Sequence, residues 1–504
     1  MAEPEPRAQG SGQRPLLAAS ALLLLVAVAV TYGGTLRYGI FGHDSYPILI
    51  ASRIQSVGDA VGTFTEVYMD GRFPQSFYRP LLNLSFALDY ALWELTPRGY
   101  QASNLLSFAG CVLALFALAR RLFGPGALLG PLAALLLFVF YPSHFESIPV
   151  LSRRHDALCC LFSALALRAA LEPGALRSGR PRWITGAFTI AAIGIKEVGF
   201  LLPALLGAAV YLATPATGLS ARARRALAAA LPAAVAAGVM LAARFAVLGG
   251  MGGSEESGLA RLVILPRVLQ RLVLPLPRMG TGFAGPLLTL GLVLSLAVGL
   301  VVLRRVPAEL RRRARRVLQV GGVWLLGTAL LTAYVGVNRP WQALFPLAGL
   351  CLMLGALTEV LVWTLARGRG PWRAAGGLAL LPLAGMALWH ASYSPLVRDY
   401  DQWEQATVRA REYLDALERQ LERARDGELL RTRPIPLTAS TRAGADPDDL
   451  VQKAAILETR SVRAWIELRF PGRRILAVHP KVKDPQPIPD GVVVALNIRG
   501  IGGG

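Results

Sequence analysis

A carboxylate a few residues beyond a long apolar run stands where it can act on substrates held at a membrane surface. Gly42-His43-Asp44-Ser45-Tyr46 supplies one, Asp44, after the first apolar run at 15–34. Such a group suits a general base that takes a proton from an acceptor hydroxyl. It could equally cap the next helix or lie in a solvated loop. Cations accompany it further along: Phe77-Tyr78-Arg79-Pro80-Leu81, then His144 with Glu146, then Ser152-Arg153-Arg154-His155-Asp156. The planar fork of arginine binds phosphate oxygens in a bidentate way, although Arg153 and Arg154 could instead pair with Asp156 or with lipid headgroups. Lys196-Glu197 falls between two short apolar runs. Ionisable groups at membrane depth are costly and mark functional sites, the competing reading being an ion pair that holds a turn. Asn338-Arg339-Pro340 marks another turn, and Arg267 and Arg271 stand at i, i+4 spacing, where they could share a helix face.

These residues need a scaffold, and composition says which. Of 504 residues 54% are hydrophobic and 17% charged, with a mean hydropathy of +0.45; an ordinary soluble chain carries roughly 25% charged residues. A soluble enzyme is not expected, and a disordered chain, collagen and a disulfide scaffold are excluded. The formal charge of +21 comes from arginines set between apolar runs, a placement that speaks for topology and anionic lipid rather than nucleic acid. The four cysteines, Cys111, Cys159, Cys160 and Cys351, all fall inside apolar runs and read as small core residues.

Eleven apolar segments emerge, at 15–34, 100–122, 127–141, 156–171, 183–195, 198–212, 226–248, 283–303, 318–337, 341–366 and 374–391. With the N-terminus in the cytoplasm, every loop expected inside then carries arginines: 120 and 121; 177, 180 and 182; 222, 224 and 225; the cluster at 304–316; and 367, 369 and 373. Counting 80–95 as a further span would reverse that pattern. With Asn83, Asp89 and Glu94, this segment reads as an amphipathic helix lying in the outer interface. The expected fold is therefore an all-α polytopic membrane protein of about 11 transmembrane helices over 1–391, with a large first extracytoplasmic loop at 35–99. The remainder, 392–504, is expected as a small extracytoplasmic α/β tail. It comprises a helix near 399–426, a loop at 431–445, a helix near 448–470 and strands at 474–479 and 491–497.

This ordered series resembles the polyprenyl-phosphate-sugar-dependent glycosyltransferases of the GT-C fold, which include protein O-mannosyltransferases, the aminoarabinose transferase of lipid A and the transmembrane O-mannosyltransferases. The residues that carry the resemblance are Gly42-His43-Asp44, Phe77-Tyr78-Arg79-Pro80-Leu81, Gly99-Tyr100 with Asn104, His144 with Glu146, Arg154-His155-Asp156, Lys196-Glu197, and Phe345-Pro346 after Asn338-Arg339. The resemblance implies an inverting hexosyl transfer from a polyprenyl-phosphate-linked donor to a hydroxyl of a protein, lipid or glycan on the extracytoplasmic face. It makes Asp44 the base and Arg79, Arg153, Arg154 and Lys196 the candidates for the donor phosphate, with Tyr78, His144, Glu146, Asp156, Glu197 and Arg339 completing the substrate site. The family commonly has a second acidic residue directly after the first. Here that place is Ser45, and Glu66 or Asp70 is a candidate for the partner carboxylate. No cofactor is demanded and no clustered metal ligands appear, though a divalent cation is compatible with the chemistry. The competing functions are a transporter or flippase, or a polymerase or ligase, of lipid-linked saccharides. The transporter would call for paired half-repeats, which this sequence lacks.

Overall fold

The computed structural model describes residues 13–71, 77–172, 179–214, 218–250, 252, 258–275, 283–336, 340–393 and 400–423. Beyond these it describes 429–431, 435–436, 451, 454–457, 459–472, 476–478 and 493–494. Arg339 and the other sequence candidates at 337–339 lie outside the described residues.

The helices are α1 (Gln13–Tyr32), α2 (Ser45–Ala51), α3 (Val57–Gly62), α4 (Pro80–Trp93), α5 (Pro97–Phe123), α6 (Leu129–Val139), α7 (His144–Ser147), α8 (Arg154–Ala170) and α9 (Gly179–Ile195). They continue as α10 (Leu202–Ala213), α11 (Leu219–Leu248), α12 (Leu265–Arg271), α13 (Ala284–Val302), α14 (Ala308–Val335), α15 (Leu344–Arg367), α16 (Pro371–Tyr393), α17 (Tyr400–Leu421) and α18 (Thr459–Arg469). Each of the eleven apolar segments is a helix. Seven of these, α1, α5, α11, α13, α14, α15 and α16, are long and apolar enough to cross a membrane; α6 and α10 are shorter apolar helices.

Helix starts depart from the apolar runs for a physical reason. The apolar run in α14 begins at 318, but the helix begins at Ala308, because its arginines are good helix formers and Glu309 in the first turn complements the helix dipole. Hydropathy registers only the apolar part. At the centre of the bundle α15 packs against α14, α6 and α16. The approach to α14 is at backbone distance: a Cβ on Gly321 would stand 2.7 Å from the Gly349 carbonyl oxygen. Small residues are the usual means of such close helix packing within membranes.

The segment at 80–95 is the helix α4, but its faces are the reverse of a soluble amphipathic helix. Asn83 and Asp89 are buried, while Leu88, Leu92 and Trp93 are exposed. A helix bordered by lipid keeps its apolar face outward and satisfies its polar groups within the protein.

Among its described residues the C-terminal part holds five short strands, β1 (Leu429–Arg431), β2 (Ile435–Pro436), β3 (Ile456–Leu457), β4 (Leu476–Val478) and β5 (Val493–Val494). β1 lies between β4 and β5, parallel to both, and β2 pairs antiparallel with β3. The helix expected near 448–470 is interrupted by β3, so that α18 spans only Thr459–Arg469. α17 buries Trp403, Tyr413 and Leu417 as its spacing suggests, whereas Val408 is exposed. Its Trp403 ring stacks on Tyr38 at 5.4 Å between centroids, and its Thr407 Oγ1 accepts from the Gly39 N–H at 3.2 Å. The C-terminal segment thus docks onto the loop that follows α1.

Candidate active site

Gly42 turns the chain at φ +104°, and a Cβ there would stand 2.7 Å from Val150 Cγ1. Glycine meets both the left-handed backbone and the lack of space. Two residues on, Asp44 is the N-cap residue of α2, but its side chain makes no capping bond. Its carboxylate is buried and faces the Arg460 guanidinium of α18, with Oδ1 at 3.2 Å from Nη2. The next residue of α18, Ser461, donates to the Gly42 and His43 carbonyl oxygens at 3.3 and 3.0 Å. Ser45, where a second carboxylate would stand, is buried and donates to the Phe41 carbonyl oxygen at 2.7 Å. Glu66 is exposed, and the side chain of Asp70 lies outside the described residues.

Arg79 forms a fork with Glu197: Nε to Oε1 at 3.0 Å and Nη2 to Oε2 at 2.7 Å. Its guanidinium lies over the Phe77 ring at 4.3 Å and the Tyr68 ring at 5.3 Å. Burial opposes the charge of Arg79, but Glu197 outweighs it and holds the pKa above the ordinary value. Arg244 of α11 shares the same carboxylate, Nη1 to Oε1 at 3.5 Å. These three groups together carry one net positive charge. Lys196 pairs with Asp156, whose other oxygen faces His155 Nε2 at 3.2 Å. Arg153 and Glu146 stand 3.8 Å apart. Burial pushes the Tyr68 phenol above its ordinary pKa, and the charges that act on it are those of Arg79, Asp44, Glu197 and Arg153. Tyr68 is thus within electrostatic reach of these four groups.

Other residues singled out from the sequence are engaged elsewhere. Arg154 is buried and turned away toward α4 and α5, pairing with Asp89, donating from Nε to Asn104 Oδ1 at 2.6 Å and lying over the Phe86 ring at 4.4 Å. His144 is buried among the Tyr32, Phe108, Phe138 and Tyr141 rings, with Nε2 at 2.9 Å from the Phe138 carbonyl oxygen. Burial lowers its pKa from 6.5 to about 4. Tyr78 donates to the Phe64 carbonyl oxygen at 2.9 Å. In α12, Arg267 is exposed and Arg271 half-buried. Among the described residues no three His, Cys, Asp or Glu side chains gather into a metal-binding group.

Three participants escaped the sequence reading. Arg244 could have been found, since a lone cation within the apolar run at 226–248 is itself a signal. Tyr68 and Arg460 carried no local signal.

In sequence the chain is similar to glycosyltransferases. It is 31% identical over 130 residues to the protein O-mannosyl-transferase Tmtc1 of Drosophila melanogaster, covering 26% of this chain and 15% of that protein. It is 27% identical over 205 residues to the protein O-mannosyl-transferase TMTC1 of Homo sapiens, covering 39% of this chain and 23% of the relative. The chain thus spans less than a quarter of the length of these curated relatives. Among solved structures it is similar to the oligosaccharyltransferase AglB of Archaeoglobus fulgidus in complex with an inhibitory peptide and a dolichol-phosphate. That match has 14% identity and a TM-score of 0.45, covering 91% of this chain and 64% of that one. It is also similar to ArnT of Cupriavidus metallidurans bound to undecaprenyl phosphate, with 14% identity and a TM-score of 0.40, covering 84% and 83%. No family profile matches the chain.

Proposed function

We propose that this chain is a multi-pass membrane glycosyltransferase that moves a sugar from a polyprenyl-phosphate-linked donor to a hydroxyl on the extracytoplasmic face. In this reading all eleven apolar helices span the membrane, the N-terminus is cytoplasmic, and the loop at 35–99 and the tail at 392–504 lie outside. The observation that carries the reading is a buried carboxylate, Asp44, in the same loop as Tyr68, over whose ring the Arg79 guanidinium lies at 5.3 Å.

The chemistry follows from that grouping. Asp44 takes the proton of the acceptor hydroxyl as its oxygen attacks the anomeric carbon from the face opposite the phosphate. The bond from that carbon to the phosphate oxygen breaks, the configuration inverts, and the lipid phosphate leaves with the bonding electrons. Arg79, Arg153 and Lys196 stabilise the charge that grows on the phosphate. The net positive charge of Arg79, Arg244 and Glu197 supports that role. Tyr78, Glu146, Asp156 and Glu197 hold these cations or their loop in place, and Arg154 and His144 brace the helices behind them. The O-mannosyl-transferases that the chain resembles support a protein hydroxyl as acceptor.

The test is transfer of labelled sugar from polyprenyl-phosphate-sugar donors in membranes that contain the chain, comparing wild type with Asp44→Asn. Transfer is expected to fall by about 10²-fold or more while the protein level is unchanged. Equal transfer in both would remove Asp44 from the mechanism. Movement of the donor across the bilayer without transfer would replace the enzyme by a transporter.

A further inference from the structure

The end of the bundle away from Asp44 holds a second group of charges, of a different kind. Gln101, near the start of α5, bonds to the Gly39 and Pro149 carbonyl oxygens beside the Asp44 loop. Arg120 lies roughly 28 Å further along the same helix axis. There, Arg120 and Arg121 at the end of α5 come within electrostatic reach of Arg313 and Arg316 in the first turns of α14. Both α14 arginines lie against the turn after α5: a Cβ on Gly124 would stand 3.7 Å from Arg316 Nη2 and 3.8 Å from Arg313 Nε. Three guanidiniums, those of Arg120, Arg313 and Arg316, thus lie against one turn, with the exposed Arg121 beside them.

Their counter-charge is small. Glu359 of α15 lies 3.5 Å from Arg313. Glu309 is largely exposed and is held at 2.7 Å by Arg312, standing 3.9 Å from Arg313. Arg120 and Arg121 donate to the Ala127 and Leu171 carbonyl oxygens, which bear no charge. The Nε of Arg316 is buried and has no hydrogen-bond partner among the described residues. Topology alone needs arginines on this loop, and exposed ones such as Arg312 satisfy it. It does not call for half-buried cations side by side with a buried Arg316 donor left unmatched, since an unmatched buried donor is costly.

We propose that this cluster is a binding site for a phosphate group, presented at the membrane face opposite the catalytic loop. Arg316 and Arg313 would grip the phosphate oxygens, with Arg120 and Arg121 closing the site from α5. A bound phosphate would satisfy the Arg316 Nε–H and offset the repulsion among the guanidiniums, which links anion binding to the seam between α5 and α14. A membrane lipid headgroup and a free phosphate ester share this chemistry. The proposal is independent of the proposed enzymatic activity.

The full chain is purified into phosphatidylcholine nanodiscs, and its Tm is measured in three conditions: as prepared, with phosphatidylglycerol in the bilayer, and with inorganic phosphate in the buffer. A rise in Tm with phosphatidylglycerol alone supports the site with a lipid as its source; a rise with inorganic phosphate as well supports the site with a free phosphate as its source. Arg316→Gln is expected to raise the half-saturating ligand about fivefold, the effect of roughly 1 kcal/mol per arginine at a charged membrane surface. Arg316→Lys, which keeps the charge and guards against misfolding of the glutamine variant, is expected to retain most of the response, and Arg312→Gln all of it. No rise in the wild type with either addition, or the same rise in Arg316→Gln as in the wild type, would overturn the proposal.

Discussion

The two ends of the helix bundle handle charge in opposite ways. Around Asp44 nearly every cation faces a carboxylate: Arg79 faces Glu197, Lys196 faces Asp156, Arg154 faces Asp89, and Arg460 faces Asp44. At the other end Arg313 meets Glu359 and part of Glu309, while Arg120 and Arg121 meet only carbonyl oxygens. Burying a charge costs several kcal/mol unless it is paired, so an end rich in buried ions must match them closely, and each match fixes a geometry. An end whose charges mostly set orientation in the membrane needs only an excess of one sign. Paired charge builds a site, whereas unpaired charge signals orientation or an absent partner.

The contrast can be broken most forcefully at Arg154. Arg154→Ala leaves Asp89 buried without its cation and is expected to cost about 3–5 kcal/mol of stability, read as a lowered Tm in detergent. The double variant Arg154→Met with Asp89→Leu should recover most of that loss, and failure to recover it would show that the pair does more than neutralise itself. A second stress is pH. The folded His144 has its pKa depressed from 6.5 to about 4. The unfolded chain therefore binds the proton first, and stability falls as pH drops through that window, by about 3 kcal/mol once both values are passed. Unfolding followed between neutral and acidic pH should lose this slope in His144→Phe; an unchanged slope would assign the effect to other groups. A third perturbation acts on the pair that spans the chain. Arg460→Gln is expected to lower kcat for transfer about tenfold, equivalent to roughly 1.4 kcal/mol, with KM for the donor unchanged. A change in KM alone would move Arg460 from positioning Asp44 to binding substrate. The smallest effect belongs to the other end: Arg312 and Glu309 are both largely exposed, and Arg312→Gln should shift stability by less than about 0.5 kcal/mol.

The same contrast separates what the sequence disclosed from what it did not. The eleven apolar segments were legible as helices because a lipid-facing helix has one dominant requirement, an unbroken apolar run, and each of them is helical. Helix ends were less so: the arginine-rich start of α14 is helical without being apolar. In the site, Asp44, Arg79, Lys196 and Glu197 were legible as charges beside apolar runs, and the structure brings Arg79 and Glu197 together. Their partners were not legible. Whether Arg153 or Arg154 turns toward α4 depends on Asp89 and Asn104, far away in sequence, and adjacent arginines give no clue to which will turn. The apolar and polar faces of α4 are legible in its amphipathic pattern, but the inward partners of its polar face, such as Arg154 for Asp89, are not.

One contact also sets an order of events in time. The Gly42 carbonyl oxygen and the Ser461 hydroxyl that donates to it are separated by 419 positions in the chain. A ribosome completes the Asp44 loop long before it makes α18, so the loop waits uncovered while the intervening helices are inserted. Contacts at such sequence separation form late and slowly. The carboxylate acquires its Arg460 neighbour only when the C-terminal segment arrives, and a half-made chain therefore carries the Asp44 loop without its final geometry.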